Sequence, residues 1–159
     1  MNTLVVYDTQ FENTEAVARA IANSSEGKLV RAGDGGVHAL TGVELLMVGA
    51  PTQGGRPTPA IQAFLSALPA NALDGIAVAA FDTRFDPASQ GIGLRTLMKV
   101  IGYAAPKIAK SLIAKGGRQV APPEGFIVLD KEGPLRDGEM ERAAAWARGV
   151  VAVAGADTA

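Results

Sequence analysis

The chain has 159 residues, enough for one domain, and its 48% hydrophobic and 19% charged fractions are typical of a globular protein. A net charge of −1 leaves no basic surplus for a nucleic-acid backbone, which argues against nucleic-acid binding. With no cysteine and a single histidine, His38, the sequence excludes disulfides, thiol catalysis and Cys-rich or His-rich metal sites, so no metal ligand is predicted. Neither a signal peptide nor an apolar run of the ~20 residues that span a bilayer is present, so we expect a cytoplasmic location.

Predicted strands and helices alternate along the chain. Short apolar runs predict buried strands, and apolar residues three or four positions apart predict amphipathic helices. In chain order, the predicted elements are a strand at 4–7, a helix at 14–22, strands at 28–31 and 44–48, a helix at 59–68, a strand at 76–81, two consecutive helices within 94–114, a fifth strand over 119–129 broken at Pro122-Pro123, and a helix at 137–153. This alternation predicts an α/β fold with a doubly wound parallel sheet and helices on both faces.

Three loops that follow predicted strands carry unusual residues. They are residues 9–14 after the first strand, 50–58 after the third and 82–93 after the fourth. In doubly wound sheets, ligands bind outside the carboxyl ends of the strands, near the point where the strand order reverses. These three loops are therefore the candidate site.

Each loop has a functional and a purely structural interpretation. Residues 9–14 precede a helix, whose N-terminus offers free N–H groups to an anion, yet the same residue types are common helix caps. The Gly54-Gly55 pair permits a close approach of the backbone to a flat ring, or serves an ordinary strand-to-helix connection. Arg84 is suited to an anion and Phe85 to stacking on a ring, although a phenylalanine is more often part of a core.

Taken together, three segments resemble the flavodoxin family, in particular its short single-domain members. They are Val5-Val6-Tyr7-Asp8-Thr9 running on to Glu15, Gly49 to Pro59, and Ala80-Phe81-Asp82-Thr83-Arg84. The resemblance covers essentially the whole chain and implies a single domain over residues 1–159, with five strands in the order 2-1-3-4-5. It also implies FMN as cofactor.

The resemblance further implies which residues bind that cofactor. Residues 9–14 match the phosphate loop, 52–56 the loop against one side of the isoalloxazine ring, and 82–85 the loop against its other side. The predicted cofactor-binding residues are Thr9, Gln10, Phe11, Glu12, Asn13, Thr14, Pro51, Thr52, Gln53, Gly54, Gly55, Arg56, Asp82, Thr83, Arg84 and Phe85.

The sequence departs from the family pattern at several positions. Phe11 stands where a hydroxyl residue is usual, and Glu12 stands where glycine is usual. A positive φ at Glu12 would cost about 1 kcal/mol, and its carboxylate would repel a phosphate if it faced one. No aromatic residue lies between Ala50 and Thr58, so only Phe85 and, as a second candidate, Phe11 are available to a flavin ring.

These features leave three functions open. The resemblance implies an FMN-binding electron carrier, not an enzyme, that exchanges electrons with a redox partner protein or a small acceptor. As partners we expect neither nucleic acid nor membrane, and we expect a monomer or weak dimer. The open ring face favours instead an FMN-dependent quinone-type reductase, although no catalytic residue is predicted. Phe11 and Glu12 favour a binding module with the flavodoxin fold and weak or lost FMN binding.

Overall fold

One parallel sheet with helices on both faces makes up the fold. The structure is a computed structural model that describes residues 1–157, apart from the side chain of Ser89. Within these residues the strands are β1 (Thr3–Tyr7), β2 (Lys28–Arg31), β3 (Leu45–Pro51), β4 (Ala77–Phe85), β5 (Arg118–Gln119) and β6 (Glu124–Val128). The α-helices are α1 (Asn13–Ser25), α2 (Pro59–Ala67), α3 (Ile92–Ile101), α4 (Ala104–Ala114) and α5 (Glu139–Ala156).

The strand order β2-β1-β3-β4-β5 confirms the predicted topology, and every pair of strands is parallel. The predicted fifth strand consists of two segments, because both β5 and β6 pair with β4. Ala77 is in register with Arg118 and Phe81 with Glu124, so the break falls at the two prolines. A proline has no N–H to donate, which explains the interruption of pairing at this point.

The prediction that the fourth strand ends at Phe81 was wrong. β4 continues to Phe85, since β6 pairs with it from Phe81 to Phe85. Residues 82–85 are therefore strand and not loop. Because side chains alternate along a strand, Asp82 and Arg84 lie on one face of the sheet and Thr83 and Phe85 on the other.

Alternation also divides the core into two halves, one on each face of the sheet. Leu4 and Val6 of β1 belong to the cluster that α2 and α4 cover, whereas Val5 belongs to the cluster under α1 and α5. In the second cluster the ring of Phe81 lies against Gly49, where an added Cβ would come within 2.1 Å of that ring. This contact explains the glycine near the end of β3.

Helix α3 differs from the other helices, because none of its residues is buried. Its side chains Ile92 and Val100 are 83% and 82% exposed. No helix in the described part of the chain, α3 included, is long and apolar enough to cross a bilayer.

Candidate functional site

The N-terminus of α1 has unsatisfied hydrogen-bond donors. Glu12 occupies the N-cap position with φ 67° and makes no side-chain cap. Among residues 1–157, no acceptor bonds the backbone N–H groups of Asn13 and Thr14. The buried Oγ1 of Thr9 likewise has no hydrogen-bond partner. Because a buried polar group without a partner costs about 1–3 kcal/mol, a ligand that accepts hydrogen bonds from these donors would remove that cost.

A cavity of about 380 Å³ opens at this helix N-terminus. Its lining includes eleven of the predicted residues, namely Thr9, Gln10, Phe11, Asn13, Thr14, Pro51, Thr52, Gln53, Thr83, Arg84 and Phe85. The three predicted segments therefore converge on one cleft. The Gln53 Nε2 donates to the Gln10 Oε1 over 2.6 Å, which links the first segment to the second. No carboxylate lines the cavity within residues 1–157.

Glu12 does not line the cavity. Its side chain is exposed and lies along a separate groove with Glu15 and Arg19. The positive φ that the sequence suggested is present, at 67°. Backbone strain at Glu12 is thus a feature of the structure, whereas its side chain lines the separate groove and not the cleft.

Gly54, Gly55 and Arg56 also lie outside the cavity lining, in a tight turn. The backbone of Gln53 and Arg56 is joined by two hydrogen bonds of 2.8 and 3.0 Å, and both glycines have positive φ, 55° and 78°. A Cβ on Gly55 would come within 2.0 Å of Ile101 at the end of α3. The Lys107 ammonium donates to the carbonyl oxygens of Gly55 and Ile101. Packing against α3 therefore explains Gly55, whereas the positive φ of the turn explains Gly54.

Asp82, the last predicted residue outside the cavity lining, is fully buried and hydrogen-bonded to Arg84, which does line the cavity. Its two oxygens accept from Nε and Nη2 of Arg84, each over 2.7 Å, and one also accepts from the N–H of Ala105 over 2.8 Å. Burial raises the pKa of the Asp82 carboxyl above its ordinary value, while Arg84 and Ala105 act in the opposite direction. The Arg84 guanidinium lies 3.8 Å from the centre of the Tyr103 ring. This network ties β4 to the start of α4.

Two cavity residues, Val128 and Lys131, were not predicted from the sequence. They lie at and just beyond the carboxyl end of β6. In doubly wound sheets ligands bind outside the carboxyl ends of the strands, and the end of β6 is one of these. Lys131 adds a cation to the cavity, next to a loop that Asn13 holds by donating to the carbonyl of Glu132 over 3.1 Å.

Comparison with known proteins separates fold from function. No family model matches the chain, and no curated protein matches it. The structure of oxidised Flavodoxin 1 from Bacillus cereus is similar, with a TM-score of 0.73, 16% identity and coverage of 96% of this chain and 98% of that one. The chain has a flavodoxin-like fold. An archaeal flavodoxin aligns with a TM-score of 0.71 at 20% identity over 98% of this chain and 99% of its own, which supports the same conclusion.

The flavodoxin-like fold also occurs within longer proteins. The flavodiiron protein from Giardia intestinalis aligns with a TM-score of 0.73 and 15% identity over 98% of this chain, but over only 36% of its own length. Identities this low show the fold alone.

The residues of this cavity fit FMN, which combines a flat aromatic ring system with a phosphate. Unpaired N–H groups at a helix N-terminus, the free Thr9 hydroxyl and Lys131 are suitable partners for a phosphate. Phe11, Pro51, Phe85 and Val128 give the cavity apolar walls. Its volume, about 380 Å³, lies within the range of about 300–1,000 Å³ of ligand pockets.

Proposed function

We propose that this chain binds FMN in the cavity at the strand ends and acts as an electron carrier. The observation that carries the proposal is the buried Thr9 hydroxyl without a partner, at an uncapped helix N-terminus, in a cavity lined by no carboxylate among residues 1–157. Bound FMN would supply reversible one- and two-electron chemistry. The protein would supply binding, orientation and exclusion of water.

At the phosphate end, neutral donors would do most of the binding. The N–H groups of Asn13 and Thr14 lie at the positive end of the α1 dipole, which favours an anion. The Thr14 hydroxyl is 2.7 Å from that of Thr83, so β4 holds this turn in place. Lys131 contributes the nearby positive charge that is not already paired, since Arg84 is bound to Asp82.

At the ring end, the two sides of the cavity differ. Phe11 and Phe85 offer aromatic faces, and Phe85 remains 39% exposed. The residues that the second segment contributes to the lining, Pro51, Thr52 and Gln53, include no aromatic side chain. This asymmetry supports a second candidate function, a quinone-type reductase in which a flat substrate approaches the open side. Steady turnover of a quinone with a nicotinamide donor would favour the reductase, and stoichiometric electron exchange without turnover favours the carrier.

A flavin titration tests the proposal. The full chain, freed of any flavin, is titrated with FMN and with riboflavin, which lacks the phosphate, and flavin fluorescence is measured. Because charge-assisted hydrogen bonds contribute about 1.5–3 kcal/mol each, we expect FMN to bind at least about tenfold more tightly than riboflavin.

A matched pair of lysine variants refines this titration. Lys131→Gln is expected to weaken binding of FMN but not of riboflavin, because only FMN carries the phosphate that Lys131 would pair with. Lys28→Gln removes an equal charge at an exposed position of β2 and should change the affinity for neither FMN nor riboflavin. Absence of FMN binding contradicts the proposal and supports a fold that has lost its cofactor. Equal affinities for the two flavins contradict the phosphate site at the start of α1.

A further inference from the structure

Charge is distributed unevenly along the chain. Residues 87–123 contain six Lys and Arg but no Asp or Glu, whereas the rest of the chain has nine basic and 16 acidic residues. The six are Arg95, Lys99, Lys107, Lys110, Lys115 and Arg118. Arg118 pairs with Asp157, and none of the other five has a carboxylate partner within residues 1–157. A strongly basic segment is thus embedded in an otherwise acidic chain.

Part of this positive charge lines a single groove, and another part lies on α3. Arg56, Lys107 and Lys115 line a groove between α2 and α4. The Lys107 ammonium also donates to the last carbonyl of α3, at Ile101, over 2.8 Å, so α3 ends beside the groove. We call Arg56, Arg95, Lys99, Lys107 and Lys115 the basic face. Lys107 and Lys115 are half-buried, and the others are exposed.

Beside these cations, α3 exposes an unusual amount of apolar surface. Ile92, Leu94, Leu97 and Val100 are 83%, 47%, 50% and 82% exposed. Exposed apolar side chains grouped on one short element are uncommon unless another molecule covers them. An apolar centre with a polar or charged rim is the usual composition of a protein–protein interface.

Both ends of α3 lie near residues of the strand-end cavity, one by contact and one along the chain. Ile101 at the end of α3 packs on Gly55, two residues after Gln53 of the cavity lining. At its other end, α3 is connected by a short stretch of chain to Phe85, a cavity residue that is 39% exposed. A molecule that covers α3 would therefore lie next to the mouth of the cavity.

We propose that α3 and the basic face form a docking surface for an acidic protein. Acidic side chains of such a partner complement the unpaired cations, and the exposed residues of α3 supply the apolar contact. Because the groove between α2 and α4 is concave, protruding acidic side chains of a protein can reach the cations that line it, whereas the surface of a flat bilayer cannot. Because the rest of the chain is acidic, it repels the same partner and so selects one orientation. The proposal concerns the partner and stands whether or not FMN binds.

A titration of the isotope-labelled full chain with two proteins of opposite charge tests this. The probes are a strongly acidic [2Fe–2S] ferredoxin and a basic cytochrome c, both at low ionic strength, and amide chemical shifts are followed. We expect the ferredoxin to shift signals of residues 92–101 and of Arg56, with affinity that falls as salt is added. The cytochrome should leave these signals unchanged.

Two variants with the same change in net charge separate a specific surface from general attraction. Arg95→Glu with Lys99→Glu reverses two charges on α3, and Lys28→Glu with Arg148→Glu reverses two exposed, unpaired charges elsewhere. We expect the first pair to weaken ferredoxin binding about tenfold or more and the second pair less than about threefold. For the apolar centre, Leu97→Ser should weaken binding, whereas Val153→Ser on α5, 46% exposed, should not.

Several outcomes overturn the proposal. Ferredoxin shifts that avoid α3, equal losses in both double variants, or no binding at low salt each contradict it. Adsorption to vesicles of phosphatidylserine and phosphatidylcholine, abolished by the α3 variant and without ferredoxin binding, assigns the surface to a membrane instead. Self-association abolished by the same variant assigns it to a second copy. Running the titrations with and without FMN keeps a failure of cofactor binding distinct from a failure of docking.

Discussion

Two helix N-termini lie at the same edge of the sheet, and they differ in how their N–H groups are satisfied. At α4, the N–H of Ala104 donates to the Thr52 hydroxyl over 3.0 Å and the N–H of Ala105 to the Asp82 carboxylate. At α1, no side chain caps the helix. The sheet thus supplies permanent partners to one helix and leaves the other open at a cavity. Polar residues at a strand end are therefore structural where their partners are internal, and candidates for ligand binding where partners are missing.

The largest expected effect on stability concerns the N-terminus of α4, whose N–H groups have internal partners. Asp82→Ala leaves the Arg84 guanidinium and the Ala105 N–H without their buried partner, and such losses cost about 3–5 kcal/mol. Urea denaturation should show this loss in the free energy of unfolding. As control, Arg19→Ala removes an exposed pair with Glu15 and should cost less than about 1 kcal/mol. A small loss at Asp82 would mean that this network does not hold α4 in place.

A third helix N-terminus, that of α5, extends the comparison to pH. The Glu139 carboxylate accepts from the N–H of Ile127 and from Arg142, over 2.6 and 2.7 Å. Burial alone would raise the pKa of Glu139, but these hydrogen bonds outweigh it and lower the pKa below its ordinary value of 4.5. At neutral pH, Glu139→Gln should reduce the free energy of unfolding by about 1–3 kcal/mol.

That loss has a defined pH dependence. Because the pKa of Glu139 is lower in the folded state than in the unfolded chain, its stabilisation is present above pH 4.5 and disappears as the pH falls through the folded value. Urea denaturation of both proteins at several pH values should therefore show the difference shrinking below pH 4.5. A difference that stays constant down to acidic pH would show that the variant acts by packing alone.

Variants of two threonines compare the N-terminus of α1, which lacks partners, with that of α4, which has them. Thr52→Val removes the acceptor of the Ala104 N–H and should lower the free energy of unfolding by about 1–2 kcal/mol. Thr9→Val removes a hydroxyl that has no partner, so stability should be unchanged or higher, while FMN affinity falls about tenfold. Thermal or urea denaturation with a parallel flavin titration measures both. Equal destabilisation by the two variants would contradict the distinction between the helix ends.

The smallest effect concerns the strained cap of α1. Glu12 and Glu26 both have positive φ, 67° and 52°, and they flank the same helix. Replacing either by glycine should raise the free energy of unfolding by about 1 kcal/mol, as measured by urea denaturation. Since the Glu12 side chain is exposed and outside the cavity, Glu12→Gln should change FMN affinity less than about twofold. A large gain in affinity would show that the carboxylate does face the phosphate.

The sequence predicted the topology because its apolar runs are short, regular and buried, as at Leu4–Tyr7 and in β3. It predicted the convergence of three segments because parallel strands end at one edge of a sheet. The sequence did not predict the length of β4, because two charged residues, Asp82 and Arg84, are typical of a loop. Only the structure shows that they form an ion pair, which allows the strand to continue. The sequence also left the interpretation of Gly54-Gly55 open, because the contact with Ile101 connects residues distant in the chain. Lys131 was not predicted because only the loops after the first, third and fourth strands were considered, although the fifth strand was predicted to end at 129, one residue beyond the end of β6 at Val128.

Mapping FMN on the isotope-labelled chain by amide chemical shifts tests the central claim most directly. If the open end of α1 is the phosphate site, addition of FMN will shift the amide signals of Thr9, Asn13 and Thr14 most strongly, and inorganic phosphate alone will shift the same signals at higher concentration. A second cavity, the groove lined by Arg56, Lys107 and Lys115, provides an internal comparison. Shifts centred on that groove, or none at the start of α1, would contradict the account.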